Sequence, residues 1–206
     1  GIYLRDDAVV AAAELSARYL AGRQLPDKAV DVLDTACARV RISLAAAPET
    51  LEKLRAEAAE GERQRQAMRR DANAGLMIDE AALQRLEQRL QQVDVEQMAL
   101  HASWLEQRTL AERVLALRQQ LAQARDALAC ETEQSDVGAL QAQLNQTHRA
   151  LTQAHSKERL VSFEVCPRLV AEVISAWTGV PLTQLAREHS TQVAHFGRDL
   201  AARIRG

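Results

Sequence analysis

Between Leu83 and Leu128 the chain can be stepped in alternating threes and fours through Leu83, Leu86, Leu90, Val93, Gln97, Leu100, Trp104, Gln107, Ala111, Val114, Arg118, Leu121, Arg125 and Leu128. Ten of these fourteen positions are apolar. A seam sustained over this length belongs to helices paired lengthwise, as in a coiled coil, rather than to the core stripe of a globular helix. No proline interrupts the stretch from Glu49 to Cys166. A helix unbroken from Asp79 to Ala129 is about 75 Å long at a rise of 1.5 Å per residue, and it is not stable without a partner for its seam.

Candidate partners lie on both sides. Leu51, Leu54, Ala58 and Met68 fall on a helix before the seam, and Leu140, Leu144, Leu151 and Ala154 on one after it. Turns are expected at Asp71–Gly75 and Glu133–Gly138, where Gly and small polar residues cluster. The expected arrangement is an antiparallel helical domain folding back on itself. Gln and Arg at four seam positions predict imperfect, adjustable packing, read first as register control or partial exposure and alternatively as serving regulation.

Composition supports a mainly α chain. It is 47% hydrophobic but only 3% aromatic, and Ala and Leu with abundant Gln, Arg and Glu favour long amphipathic helices over a compact aromatic core. A formal net charge of −2 gives no basic field for nucleic acid. No apolar run approaches the roughly 20 residues of a membrane span. Cys37, Cys130 and Cys166 are an odd number at wide spacing, which suits free thiols in a reducing, cytoplasmic compartment.

The ends differ from the middle, because Pro26, Pro48, Pro167 and Pro181 all fall there. Asp6 is expected to cap a helix running from Asp7 to Leu20, which Gly22 ends. Pro26 opens the next helix at its first position, with Val30, Leu33, Cys37, Val40 and Leu44 as one apolar stripe. Val161, Phe163 and Val165 alternate with polar neighbours as in a short strand. Pro167 opens a helix that Trp177-Thr178-Gly179-Val180-Pro181 breaks, with Trp177 expected to be buried, and a last helix runs from about Leu182.

Motifs of enzymatic chemistry are missing from this stretch. There is no GxxxxGK[ST] loop, and no apolar strand ends in paired acids for magnesium. HExxH, GxSxG and GxGxxG are also absent, and the five histidines have no ligand spacing with any Cys or acid. No catalytic residue and no metal ligand is expected.

Two end segments carry a specific resemblance. Arg18-Tyr19-Leu20 with Gly22-Arg23-Gln24-Leu25-Pro26-Asp27-Lys28-Ala29-Val30-Asp31 resembles the signature of the small helical subdomain that closes the first ATPase domain in the ClpB/Hsp100 family of AAA+ unfoldases. Val173 to Pro181 is similar to that family's link into the second ATPase domain, and Arg203-Ile204-Arg205-Gly206 to the start of that domain. Between the two motifs the family inserts a coiled-coil middle domain, where the heptads fall here.

The resemblance implies a fold and a division of the chain. Residues 1–47 form the small AAA+ subdomain, 48–159 a long antiparallel coiled-coil middle domain, and 160–206 a return segment and linker. The family's phosphate loops would lie outside residues 1–206, so the chain reads as a non-catalytic fragment, with ATP and magnesium bound by its parent. Arg23, Leu25, Pro26, Asp27 and Lys28 fall where the family's subdomain faces nucleotide, with Arg23 or Lys28 as the phosphate-sensing cation. The other reading of this run is a helix start with Lys28 paired to a nearby acid.

Leu33-Asp34-Thr35-Ala36-Cys37-Ala38-Arg39-Val40 looks more like ClpV, the type VI secretion unfoldase, than like ClpB, whose pattern has a second acid where Thr35 stands. The second half of the middle domain also looks shortened around Glu131 to Gly138. The implied parent is a cytoplasmic homohexamer that takes apart the contracted secretion sheath of TssB and TssC, with no nucleic-acid or membrane partner. A ClpB-type disaggregase working with Hsp70 shares the machine and differs in substrate. A stand-alone coiled-coil scaffold accounts for the heptads but not for the flanking motifs.

Overall fold

The computed structural model describes residues 2–22, 24–129 and 137–185. In chain order the elements are β1 (Tyr3–Leu4), α1 (Asp6–Tyr19), α2 (Asp27–Ala45), α3 (Glu49–Asn73), α4 (Glu80–Ala129), α5 (Val137–Ala154), β2 (Glu164–Val165) and α6 (Pro167–Thr178). The fold is therefore mainly α. The chain divides into two compact units, the first within residues 1–44 and 162–206 and the second formed by residues 45–161.

The first unit is closed by a parallel pairing of β1 with β2, in the register Tyr3 to Glu164 and Leu4 to Val165. The Arg5 N–H extends the pairing to the Val165 carbonyl at 3.2 Å. Arg5 consequently keeps an extended backbone and becomes the residue before the helix, its own carbonyl accepting from Ala8 and Val9. Asp6, expected as the cap, lies instead in the first turn with Asp7, where both carboxylates favour the positive end of the helix dipole.

Small residues shape the core. Ala8, Ala11, Ala12 and Leu15 of α1 are buried, and this narrow face packs against α6, whose Val170, Val173 and Ile174 are fully buried. Burying each of those branched side chains contributes on the order of 1.5–3 kcal/mol.

On α2 the buried line is Ala29, Val32, Ala36 and Val40. The stripe expected from the larger residues is displaced toward it. Leu33, Cys37 and Leu44 only flank the core, and Val30 is 57% exposed. Ala29 and Ala36 permit a close approach of the helix axes, and they share the inner face with Val32 and Val40 while Leu33 and Cys37 flank it. Phe163 and Val165 are buried as expected of the strand, but so is Glu164 between them.

In the second unit α4 is unbroken for 50 residues, about 75 Å at the usual helical rise. Asp79 caps it, its Oδ1 accepting the Ala82 N–H at 2.9 Å. α3 packs on its first half and α5 on its second. Ion pairs Arg69–Glu87 and Arg89–Glu57 make α3 antiparallel to α4, and Arg125–Gln141 with Gln107–Ala154 makes α5 antiparallel as well.

The expected seam holds through Val93, Trp104, Gln107, Ala111 and Val114, all buried. Past Val114 it moves one residue toward the N-terminus. Leu117, Leu121 and Ala124 are buried, while Arg118 is only partly buried and Arg125 is exposed. Burying Leu117 and Ala124 in place of the neighbouring Arg118 and Arg125 spares the cost of taking a guanidinium out of water.

The first turn falls later than expected. α3 runs through Asn73, and Gly75 takes φ +81°. The Leu76 N–H reaches the Asp71 carbonyl at 3.1 Å and the Gly75 N–H the Ala72 carbonyl at 3.0 Å, the paired bonds of a Schellman ending. At the second expected turn Gly138 already belongs to α5. Residues 130–136 lie outside the described residues.

Candidate functional site

Of the nucleotide-facing candidates, Arg23 lies outside the described residues. Leu25 is 46% exposed and joins Pro26 through a cis peptide bond. Pro26 precedes the helix rather than opening it. Its carbonyl takes the N–H groups of Ala29 and Val30, and Asp27 is the exposed first residue of α2.

Lys28 points back to α1. Its Nζ donates to the Leu20 carbonyl at 3.1 Å and the Ala17 carbonyl at 3.4 Å. An ammonium there satisfies carbonyls that the end of a helix leaves free, at the negative end of the dipole. The partner found for Lys28 is thus backbone, not the acid foreseen. The contact fixes the start of α2 against the end of α1 and leaves Leu25 to Asp27 presented to solvent.

Of the candidates Lys28 alone lines an open cleft of about 540 Å³, together with Leu20, Ala21, Asp31, Asp34, Thr35 and Trp177. Trp177 was expected inside, yet it is 48% exposed. It continues the line of Val173 and Ile174 by one further turn, past the end of the core, so its ring forms a wall of the cleft. The turn after it is closed by its own side chains. Gly179 caps α6 at φ 74° with its N–H on the Ser175 carbonyl, and Ser175 Oγ donates to the Val180 carbonyl at 2.6 Å. Beyond it, the Gln184 and Leu185 N–H groups bond to the Pro181 carbonyl, and Leu185 is buried in the core of this unit. The rest of the expected last helix lies outside the described residues.

On the strand side of the same unit, Arg5 bridges Asp7 and the buried Glu164. The hydrogen bond to Asp7 holds the guanidinium above its ordinary pKa, against the opposing effect of burial, with Glu164 adding to it. The bridge ties Arg5, the residue after β1, to Glu164 of β2.

A second polar node lies in the other unit. Gln107 was expected to be a loosely packed seam position, but it is 2% exposed. Its Nε2 donates to the Glu158 carbonyl at 2.7 Å and the Ala154 carbonyl at 3.2 Å. Its Oε1 accepts from the Leu160 N–H at 2.8 Å and the Val161 N–H at 3.3 Å. Nothing in the local pattern signals this, because every partner lies 47 to 54 residues downstream. Among the described residues no group of three or more His, Cys, Asp and Glu side chains is placed to hold a metal ion.

Residues 1–89 match the family model of the AAA lid domain. Over its whole length the chain is 28% identical to the chaperone protein ClpB 1 of Thermosynechococcus vestitus, covering 25% of that protein. It is 32% identical to the AAA+ ATPase ClpV1 of Pseudomonas aeruginosa, again over its whole length and 24% of the relative. The chain thus spans about a quarter of the length of the curated relatives it matches. In fold it is similar to Saccharomyces cerevisiae Hsp104 in its ADP complex, with a TM-score of 0.61 at 23% identity, over all of this chain and 31% of that one. The lid match over residues 1–89 and the whole-chain likeness to ClpB and ClpV1 relate this chain to the ClpB/Hsp100 family of AAA+ proteins, and Hsp104 shares its fold.

Proposed function

We propose that this chain supplies the lid subdomain, middle domain and linker of a cytoplasmic, hexameric, ATP- and magnesium-dependent protein unfoldase, and itself performs no chemistry. In this reading residues 1–47 form the small subdomain of the first ATPase domain, 48–159 the middle domain, and 160–206 the return segment and linker. The solvent-exposed segment of Leu25, Pro26 and Asp27 faces the nucleotide of the first ring, with Arg23 as the phosphate-directed cation and Lys28 as the residue that positions the segment. The observation that carries this reading is the Lys28 contact to the end of α1, with Leu25 to Asp27 exposed before it and Lys28 itself lining an open cleft.

The substrate we infer is the contracted type VI secretion sheath built from TssB and TssC. It is supported by Thr35 in place of a second acid, and by 32% identity to the AAA+ ATPase ClpV1. The second reading, a ClpB-type disaggregase acting with Hsp70, is favoured by several ClpB chaperones that match the whole chain at 28–30% identity.

The test adds the parent protein with ATP to purified contracted sheaths, and separately to heat-aggregated protein with Hsp70, followed by electron microscopy and turbidity. Loss of sheaths with aggregates intact is the expected outcome. Clearing of aggregates with sheaths intact establishes the disaggregase instead. No ATP-dependent change in either removes the unfoldase reading.

A further inference from the structure

α4 has a second apolar face besides its seam. Val95, Met98, Ala102 and Leu105 stand at spacings of three, four and three residues, which at about 100° per residue gathers them into one sector of the helix. That sector lies roughly opposite the buried seam residues Val93 and Trp104. All four are exposed, Val95 by 63%, Met98 by 60% and Leu105 by 42%. Exposed Gln91 and Thr109 end the stripe on either side. Single apolar side chains scattered over a surface need no explanation, but four in line on an unbroken helix form a continuous patch about 15 Å long.

The stripe is complementary to itself. Val95 lies as far before Leu100 as Leu105 lies after it, and Met98 as far before it as Ala102 after it. Two copies laid antiparallel about a twofold axis at Leu100 therefore set Val95 against Leu105 of the second copy. Met98 meets Ala102, a long adaptable side chain over a small one, which lets the helix axes come close. The charges agree with this direction. Asp94 and Arg108 are fourteen residues apart, close to four turns, and so share one edge of the stripe. In the antiparallel pairing exposed Asp94 lies within about 3 Å, along the axis, of Arg108 of the second copy. A twofold contact forms this pair of opposite charges twice. Arg108 has donors to spare, since it spends its Nε on Glu112 at 2.9 Å and stacks over the Trp104 ring at 5.6 Å. A parallel pairing would instead set Asp94 beside Asp94 and Arg108 beside Arg108.

We propose that this face of α4 is a self-association surface, and that its occupant is the same face of a second copy of the chain, antiparallel to the first. A patch of three turns is smaller than the roughly 800 Å² per partner of a standard interface. The contact is therefore weak and reversible, and it forms as copies are concentrated. It does not depend on the unfoldase reading above.

The experiment follows the full protein by sedimentation and by oxidation footprinting over a wide range of concentration. Met98 is the probe and fully exposed Met77 the reference, because thioether oxidation tracks exposure. On concentration the mass of the basal assembly is expected to rise about twofold. Oxidation at Met98 is expected to slow at least about threefold relative to Met77. Ala102→Glu leaves the seam untouched, sets a carboxylate against Met98 of the second copy, and is expected to abolish both changes. Asp94→Arg faces Arg108 with a like charge and is expected to weaken association about threefold, while Asp94→Glu keeps it. Met98 equally reactive at every concentration overturns the proposal. Met98 protected at every concentration without a change in mass also overturns it, and puts another part of the same chain on the stripe. Association that survives Ala102→Glu places the contact elsewhere, and association indifferent to Asp94→Arg overturns the antiparallel register.

Discussion

Single side chains in this protein draw their roles from backbone groups remote in sequence. Lys28 is the clearest case: the family resemblance offers it or Arg23 as a phosphate-sensing cation, and its ammonium is bound to the Ala17 and Leu20 carbonyls at the end of α1. Lys28→Ala is expected to lower stability by about 0.5–1 kcal/mol, read as a drop in unfolding midpoint, with Lys28→Arg recovering most of it. Unchanged stability with a loss of nucleotide affinity would instead put the charge on phosphate. Asp6 and Gln107 teach the same lesson about legibility. Asp6 carries a good capping side chain, but the cap position is taken by Arg5, whose N–H is committed to Val165 across the pairing of β1 and β2. Such a commitment involves residues about 160 positions apart, and no reading of neighbours reaches it.

At the scale of elements, helix identity follows from periodicity, whereas helix contact follows from size. Gly61 lies inside α3, where a Cβ would stand 2.8 Å from Leu90 Cδ2 and 3.3 Å from Leu90 Cγ. The missing side chain is what lets α3 come this close to α4. Gly61→Val is expected to push the helices apart and destabilise by about 1–3 kcal/mol, seen as lowered urea midpoints for the second unit. Gly75 has open space around it but φ +81°, so Gly75→Ala is expected to cost on the order of 1 kcal/mol through backbone strain alone.

α3 also carries a pH response. Lys53 holds the Glu49 carboxyl below its ordinary value, chiefly by a hydrogen bond, and Arg65 followed by Gln66 does the same for Glu62. A folded-state value below the unfolded one adds stability that is complete above the unfolded value, 4.5, and is lost as pH falls through the folded value. The second unit is therefore expected to unfold more readily on acidification from pH 6 to below about 4. The loss should be smaller in high salt, where these exposed pairs are already screened. A midpoint independent of pH over that range would show that the pairs do not act in solution.

For the whole molecule, the division into two units predicts where damage stays. Ile174→Ala removes fully buried volume from the first unit and is expected to cost about 2–5 kcal/mol. Protection from hydrogen exchange should then fall in α1 and α6 while α4 keeps its own. A loss spread evenly over α4 would mean that the two units unfold as one.

Spacing along the chain suffices for a heptad seam from Leu83 to Leu128, for helices on either side that fold back on it, and for end motifs that resemble those of the ClpB/Hsp100 family. Those conclusions depend on spacing within one or two turns, and on runs of residues read in order. Packing in three dimensions settles that Ala29, Val32 and Ala36 join Val40 on the inner face of α2, that β1 finds β2, that Trp177 stands at the edge of a cleft, and that Gln107 closes the end of α5. Each of these depends on how near two distant backbones come. That distance is set by the fit of whole faces against one another, and local periodicity carries no record of it.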